Sequence, residues 1–335
     1  MLKRLRLTLP VIALLSSAAL GHHSPSAFDT TGEVIVEGTL AKVDWANPHV
    51  YLTVETAGPE GQRVLQQVES VSVAVAQATG LKREFLTLGS TVIVHAYPNR
   101  RGPGYTVLGT DITTSDGNVY PLRAGRGSRP PAVTVPATGL AGNWAPRGNP
   151  QLMSIVHGWP LTDKARAALA AVFSGRTQLS VGCTAIPLPM LTLLPLLRTV
   201  EVHDDRVVMK IDSDGVDATR TVRLDLAEHP ANVGPSLFGH SIGRWEGATL
   251  VIDTVAFTPH DIGIGFGVPS GASKHLTERL TLAADGLQLR YELTVEDPEY
   301  LAAPATYTAM WDHRPDLGFS DTACDPQNSE RFREE

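Results

Sequence analysis

Hydrophobic and polar residues alternate along five short stretches in the first third of the chain. Alternation with a period of two residues is typical of strands that bury one face. Turn-forming pairs such as Asn47-Pro48 and Asp116-Gly117 separate the stretches, and a helical segment at 75–81 follows the third one. Five strands with a helix after the third predict a small OB-like barrel. The predicted strands are residues 34–45, 49–55, 62–73, 91–96 and 105–113.

A second, longer series of alternating stretches begins at residue 199. Seven or more strands in succession predict a mainly antiparallel barrel of lipocalin-like type, and a β-sandwich is the alternative. Barrels of about eight strands can enclose one small ligand, so we expect a binding site in the interior. Before this series, apolar residues at helical spacing predict one short helix that begins at Thr162-Asp163 and ends at Gly175. The predicted strands are 199–203, 207–212, 220–226, 245–255, 276–283, 287–296 and 305–312.

The first residues have the order of a secretory signal peptide. Lys3, Arg4 and Arg6 precede an apolar run, and small residues then lead to Gly21. No other stretch reaches the ~20 apolar residues that cross a bilayer, so we predict a periplasmic or secreted protein without a transmembrane segment. Residues 123–140 are rich in Gly and Pro, which predicts a linker between two domains. The predicted division is a signal peptide at 1–21, an OB-like domain at 22–122, a linker at 123–140 and a lipocalin-like domain at 141–335.

The charge of the chain changes the expected partners. Its 335 residues include 28 Lys and Arg against 35 Asp and Glu, a net charge of −7, and no basic run is sustained. A nucleic-acid partner is therefore not expected.

The two cysteines, Cys183 and Cys324, are an even number in a chain predicted to be exported. They predict a disulfide.

Two sets of residues resemble known families, and together they cover most of the chain after the signal peptide. Both families are uncharacterised, so the resemblance implies export and architecture but no catalytic role. The first set resembles a family of secreted bacterial proteins with a small OB-like domain: His22-His23-Ser24, Phe28-Asp29, Val36-Glu37-Gly38 and Val43-Asp44-Trp45-Ala46-Asn47-Pro48-His49. The second is similar to a periplasmic family: Gly239-His240-Ser241-Ile242-Gly243-Arg244-Trp245-Glu246-Gly247, Leu250-Val251-Ile252-Asp253-Thr254, His275-Leu276-Thr277-Glu278-Arg279 and Glu296-Asp297-Pro298.

Three histidines form a candidate copper site. Cleavage after Gly21 would make His22 the new N-terminus, where a free α-amine and the imidazole of the same residue can chelate one metal. A further imidazole from His23 or His49 completes a three-nitrogen set that suits Cu(II). The alternative is a solvated, flexible histidine pair with no metal.

The second domain carries a set of acid–base candidates. Period-two geometry places Leu250, Ile252 and Thr254 on one face of a strand, and Val251 and Asp253 on the other. A carboxylate lining an apolar barrel would have a raised pKa and serve as a general acid or base. Buried Arg–carboxylate pairs and Trp plugs that close the barrel are the structural alternative. The catalytic candidates are His240, His275, Asp253 and Glu246.

An unusually apolar segment at 186–197 contains three prolines, which exclude a regular helix or a central strand. It is interpreted either as core filler or as a lid over an apolar ligand.

The first hypothesis for the function is therefore binding of an apolar small molecule in the second barrel, with a candidate copper site. The alternatives are an acid–base isomerase, hydratase or hydrolase of a hydrophobic substrate, and a structural partner in envelope assembly. The candidate ligand-binding residues are Trp245, Arg244, Arg279 and Met190.

Overall fold

A computed structural model describes residues 27–123, 135–146, 156, 158–174 and 183–330. The predicted signal peptide, two of the three candidate copper ligands (His22 and His23) and residues 124–134 of the predicted linker lie outside the described residues.

The first six strands form one sheet in the order β3-β2-β1-β4-β5-β6, and β3 also pairs with β5 in parallel. This last pairing closes the first five strands into a barrel in which α1 (Val73–Ala78) and a 3₁₀ turn (Arg83–Phe85) lie between β3 and β4. The OB-like prediction is confirmed. The strands are β1 (Val34–Asp44), β2 (Tyr51–Ala57), β3 (Arg63–Glu69), β4 (Thr91–Tyr97), β5 (Val107–Thr113) and β6 (Val119–Pro121).

Local sequence explains how this barrel closes. Gly38 lies where β1 crosses β2, and a Cβ at this position would be 2.0 Å from the Glu55 carbonyl oxygen. Only glycine permits so close a backbone approach. Ser72 begins α1 because its hydroxyl accepts a hydrogen bond from the Val75 amide. The apolar positions of the strands meet in one core that includes Leu40, Leu52 and other fully buried residues.

The remaining strands form a closed nine-stranded barrel in the order β7-β8-β9-β10-β11-β12-β15-β16-β17, with a separate hairpin of β13 and β14 inserted. The meandering barrel is confirmed and the sandwich is excluded, although β10 and β11 pair in parallel over two residues. The strands are β7 (Gly142–Pro146), β8 (Arg198–Val202), β9 (Arg206–Ile211), β10 (Thr219–Arg223), β11 (His240–Glu246), β12 (Thr249–Val255), β13 (His260–Gly265), β14 (Val268–Ser270), β15 (His275–Leu282), β16 (Gln288–Glu296) and β17 (Ala305–His313).

One predicted strand of this barrel is wrong. The stretch 245–255 is a hairpin of β11 and β12, and its turn contains Gly247 at a φ of 61°. Glycine adopts this left-handed conformation without strain, so the chain reverses there.

The predicted helix is confirmed as α2 (Asp163–Phe173), which Thr162 caps by accepting a hydrogen bond from the Ala165 amide. This helix packs against β14.

The apolar segment 186–197 lies in the core of the second barrel. Leu188, Leu191, Leu193 and Leu196 are at most 2% exposed and join the main hydrophobic cluster. The segment contains the short helix α3 (Met190–Leu193), which contacts β13. The core-filling interpretation is therefore confirmed for the buried residues of this segment.

The C-terminal residues of the chain return to the first barrel. Cys324 forms the predicted disulfide with Cys183, with 5.6 Å between the Cα atoms, and is also bridged to Asn47. Beyond it lies the short helix α4 (Pro326–Glu330). The Asn328 side chain donates to the His49 carbonyl oxygen at 2.8 Å. The two barrels are thus in direct contact through this tail.

Asn47 is the centre of that contact. Its side chain is fully buried, accepts from the Val73 amide at 2.9 Å and donates to the Thr322 carbonyl oxygen at 2.8 Å. Its own carbonyl oxygen accepts from the Asp325 amide at 3.0 Å. One side chain therefore joins the start of α1 to the C-terminal tail.

We predict that Asn47→Ala lowers the free energy of unfolding by about 1–3 kcal/mol, because it leaves the buried Val73 amide and the half-buried Thr322 carbonyl without their side-chain partner. Denaturant unfolding measures the loss. The control is Asn232→Ala, since Asn232 is exposed. Equal stability of the two variants would contradict this role for Asn47.

Candidate functional site

The candidate site lies on the outer face of the second barrel. On β12, Leu250 and Ile252 are fully buried in the barrel core, so the side chain of Asp253 points to the opposite face. Asp253 lies opposite Ile242 of β11 and Thr277 of β15 in the sheet register. The same alternation brings His240 of β11 and His275 of β15 to the outer face on either side of it.

Five side chains form one continuous hydrogen-bonded row on this face. Nδ1 of His240 lies 2.8 Å from Nδ1 of His229, and Nε2 of His229 lies 2.8 Å from one Asp253 oxygen. The other Asp253 oxygen lies 2.7 Å from Nε2 of His275, and Nδ1 of His275 lies 3.0 Å from Glu296. We call this row the relay. Both of the Asp253 oxygens are bound to imidazoles, so the carboxylate is fixed between them.

The relay sets the charge of its members. Burial alone would raise the pKa of Asp253, but the hydrogen bonds from His275 and His229 hold it below the ordinary aspartate value. Burial would lower the pKa of His275, but its bonds to Asp253 and Glu296 raise it above the ordinary histidine value. Burial, together with His229 and Arg223, lowers the pKa of His240. At neutral pH the relay thus has an ionised carboxylate in the middle and a neutral imidazole at the His240 end.

Two expectations for Asp253 are wrong. It does not line the barrel interior, and its pKa is lowered rather than raised. The cause is its two imidazole partners, since a carboxylate that accepts two such hydrogen bonds is stabilised in its charged form. The face that Asp253 shares with Val251 is the outer face of the barrel.

Two members of the relay were not predicted. Glu296 belongs to the Glu296-Asp297-Pro298 motif, and it lies directly opposite His275 in the β15–β16 register. Counting residues across that hairpin would have found this pair. His229 lies outside the strands, between β10 and β11, where no periodicity marks it.

The fourth catalytic candidate, Glu246, lies elsewhere on the barrel. It is opposite Thr249, four residues along β12 from Asp253, which is roughly 13 Å of strand. Its carboxylate accepts from Arg244 and Arg279, and these hydrogen bonds lower its pKa. Glu246 is an exposed ion-pair partner and takes no part in the relay.

The candidate ligand-binding residues are divided between two environments. Trp245 is 45% exposed at the end of β11, and Arg244 and Arg279 are the exposed partners of Glu246. Met190 is 4% exposed and lies in α3 within the core. The structure therefore does not place Met190 on the surface that carries the other three.

Packed side chains occupy the part of the second barrel's interior that the structure describes. Arg220 and Glu278 form a bidentate ion pair at 2.7 and 2.8 Å, and the Tyr291 hydroxyl donates to Glu278 at 2.9 Å. Trp311 stacks on Tyr291 with 4.4 Å between the ring centres. A cavity of about 10 Å³ beside Trp311 is close to the smallest space that holds one water molecule. Binding of an apolar molecule there stays a prediction and would require these side chains to move.

The third candidate copper ligand, His49, is held at the contact between the barrels. Its Nδ1 lies 3.0 Å from the Ser70 carbonyl oxygen and 3.6 Å from Glu69, whose pKa is raised by burial. A metal would therefore have to bind the other ring nitrogen. Among the described residues, no group of three or more His, Cys, Asp or Glu side chains is arranged to hold a metal ion. The copper site stays a prediction.

Residues 11–107 match a family of unknown function, DUF6152. The match covers β1 to β4 and α1, so the first barrel resembles an uncharacterised family, as its motifs predict. No match to a curated protein was found. The resemblance of the second barrel to a periplasmic family stays a prediction. In the part of the chain that the structure describes, no helix has the length and apolar character needed to cross a membrane.

We predict that Asp253→Asn lowers the pKa of His275, because the neutral amide no longer favours the imidazolium form. Titration of the histidine ring signals by NMR measures the shift. The control is Asp261→Asn, since Asp261 is exposed on β13. A His275 pKa that is the same in the Asp253→Asn variant and the wild type would show that the relay does not set its charge.

Proposed function

We propose that the protein is an acid–base enzyme of the hydrolase, isomerase or hydratase type, with its site on the outer face of the second barrel. His240 is the general base, His229 accepts the proton from it, and Asp253 stabilises the charge that results. The observation that carries the proposal is the hydrogen-bonded path from His240 through His229 to the ionised Asp253.

The proposal assigns the proton positions for a resting relay in which His229 and His240 are both neutral. Because the ionised Asp253 can only accept, Nε2 of His229 carries a hydrogen. In neutral His229 the other nitrogen, Nδ1, is then the acceptor, so Nδ1 of His240 must donate to it. This leaves the lone pair of His240 on Nε2, which makes no hydrogen bond to the described part of the chain. Nε2 is the nitrogen that takes a proton from substrate or water.

The relay spreads the positive charge that arises when His240 takes a proton. When Nε2 of His240 gains a proton, the proton on Nδ1 moves to Nδ1 of His229. His229 becomes an imidazolium ion next to the Asp253 carboxylate, and His240 stays neutral. Both states satisfy every hydrogen bond of the row, so the reorganisation is small. A carboxylate that orients and stabilises an imidazole in this way is a recurring arrangement in general-base catalysis.

The exposure of the relay favours the outer face over the barrel interior as the proposed site of the reaction. His229 and Asp253 side chains are 17% and 30% exposed, so a molecule can reach the row while the polar groups remain partly shielded. The interior ion pair of Arg220 with Glu278 is almost completely buried and lies beside a cavity of about 10 Å³. An activity at the relay needs no opening of the barrel.

We predict that the wild type accelerates hydrolysis of p-nitrophenyl acetate and that His240→Gln lowers kcat/KM about 100-fold or more. The expected rate falls as pH drops below the lowered pKa of His240, because Nε2 is then already protonated. Release of p-nitrophenol, followed by absorbance from pH 4 to 9, measures both effects.

The matched control is His203→Gln, since His203 is exposed and lies away from the relay. This variant should keep the wild-type rate and pH profile. Asp253→Asn should lower the rate and change the acid limb of the profile, because Asp253 acts through His229. A rate that is unchanged in His240→Gln, or lowered equally in His203→Gln, would refute the proposed base.

A further inference from the structure

A second arginine lies in the interior of the second barrel, and its hydrogen-bond partners among the described residues are all carbonyl oxygens. Arg198 of β8 is 1% exposed, and its guanidinium lies 4.5 Å above the Trp311 ring. The carboxylate that acts on it, Glu278, already holds Arg220 in a bidentate pair and accepts from Tyr291. In the part of the barrel interior that the structure describes, the guanidinium groups of Arg198 and Arg220 thus share one carboxylate, that of Glu278.

The hydrogen bonds of Arg198 are also incomplete. Its terminal nitrogens donate to the carbonyl oxygens of Leu196, Thr192 and Leu194. These acceptors are neutral, so they satisfy donors without compensating the charge. Nε is buried and has no hydrogen-bond partner among the described residues. A buried charge without a counterion and a buried donor without an acceptor both cost free energy.

Arg198 lines the small interior cavity. Arg220 and Thr192 also line it, and the rest of its wall is apolar, with Leu188 and Trp311 among the residues. The volume of about 10 Å³ matches one water-sized particle. Burial lowers the pKa of Arg198 to about 10, so the guanidinium remains charged at neutral pH. The cavity therefore combines a single-particle volume with an excess positive charge and an unused N–H group.

We propose that this cavity binds a small monovalent anion, of about the size of chloride, against Arg198. The anion accepts the free Nε hydrogen and balances the second guanidinium charge. A water molecule would satisfy the hydrogen bond but leave the charge uncompensated. A free halide ion fits the single-particle volume of this cavity.

The test is thermal unfolding in sodium chloride against sodium gluconate at equal ionic strength, because gluconate is too large for the cavity. At about five times the dissociation constant of chloride, linkage predicts a rise in Tm of about 2–4 °C.

Arg198→Met should abolish the chloride-dependent rise, while Arg290→Met should keep it, since Arg290 is an exposed partner of Glu292. Should Arg198→Met fail to fold, crystals of the wild type soaked in bromide decide the question. The proposal predicts an anomalous peak within hydrogen-bond distance of Nε. Equal Tm values in chloride and gluconate, or bromide-soaked crystals with only water at Arg198, would overturn it.

Discussion

The buried pair of Arg220 and Glu278 is the interaction on which the second barrel depends. Both side chains lie inside a closed ring of strands, where separate charges would lose far more hydration than they could recover. Tyr291 donates to the same carboxylate, and Trp311 stacks on Tyr291. Arg220, Glu278 and Tyr291 are thereby committed to one another. They hold β10, β15 and β16 together, and the cavity described beside Arg220 has a volume of about 10 Å³.

The polar side chains of the relay, which solvent can reach, consequently lie on the outer face of the barrel. The strand register, rather than any local motif, brings His240, Asp253 and His275 from three neighbouring strands into one row. His229 completes the row from the connection between β10 and β11. In this arrangement the barrel is the rigid support, and its outward-facing residues carry the proposed acid–base function.

Much of the fold could be predicted because the alternation that marks a strand is a local pattern. Which strands close the barrel, and which side of a strand faces its interior, depend on residues far apart in the sequence. Alternation indicated that Asp253 and Val251 share a face, but both faces of β12 are apolar, and Val251 is itself only 1% exposed. The inner face could therefore not be identified from β12 alone. His229 has no periodic neighbours, so only the folded chain brings it to Asp253. The hairpin was missed because only two residues, Gly247 and Ala248, separate β11 from β12.

The proposed base catalysis depends on the protonation state of His240. The most direct measurement is the tautomer of its ring, read from the nitrogen-15 chemical shifts of the histidine side chains at pH 7. The relay predicts a neutral ring with the hydrogen on Nδ1 and the lone pair on Nε2. A ring that is charged at this pH, or that carries its single hydrogen on Nε2, would contradict the proposed base.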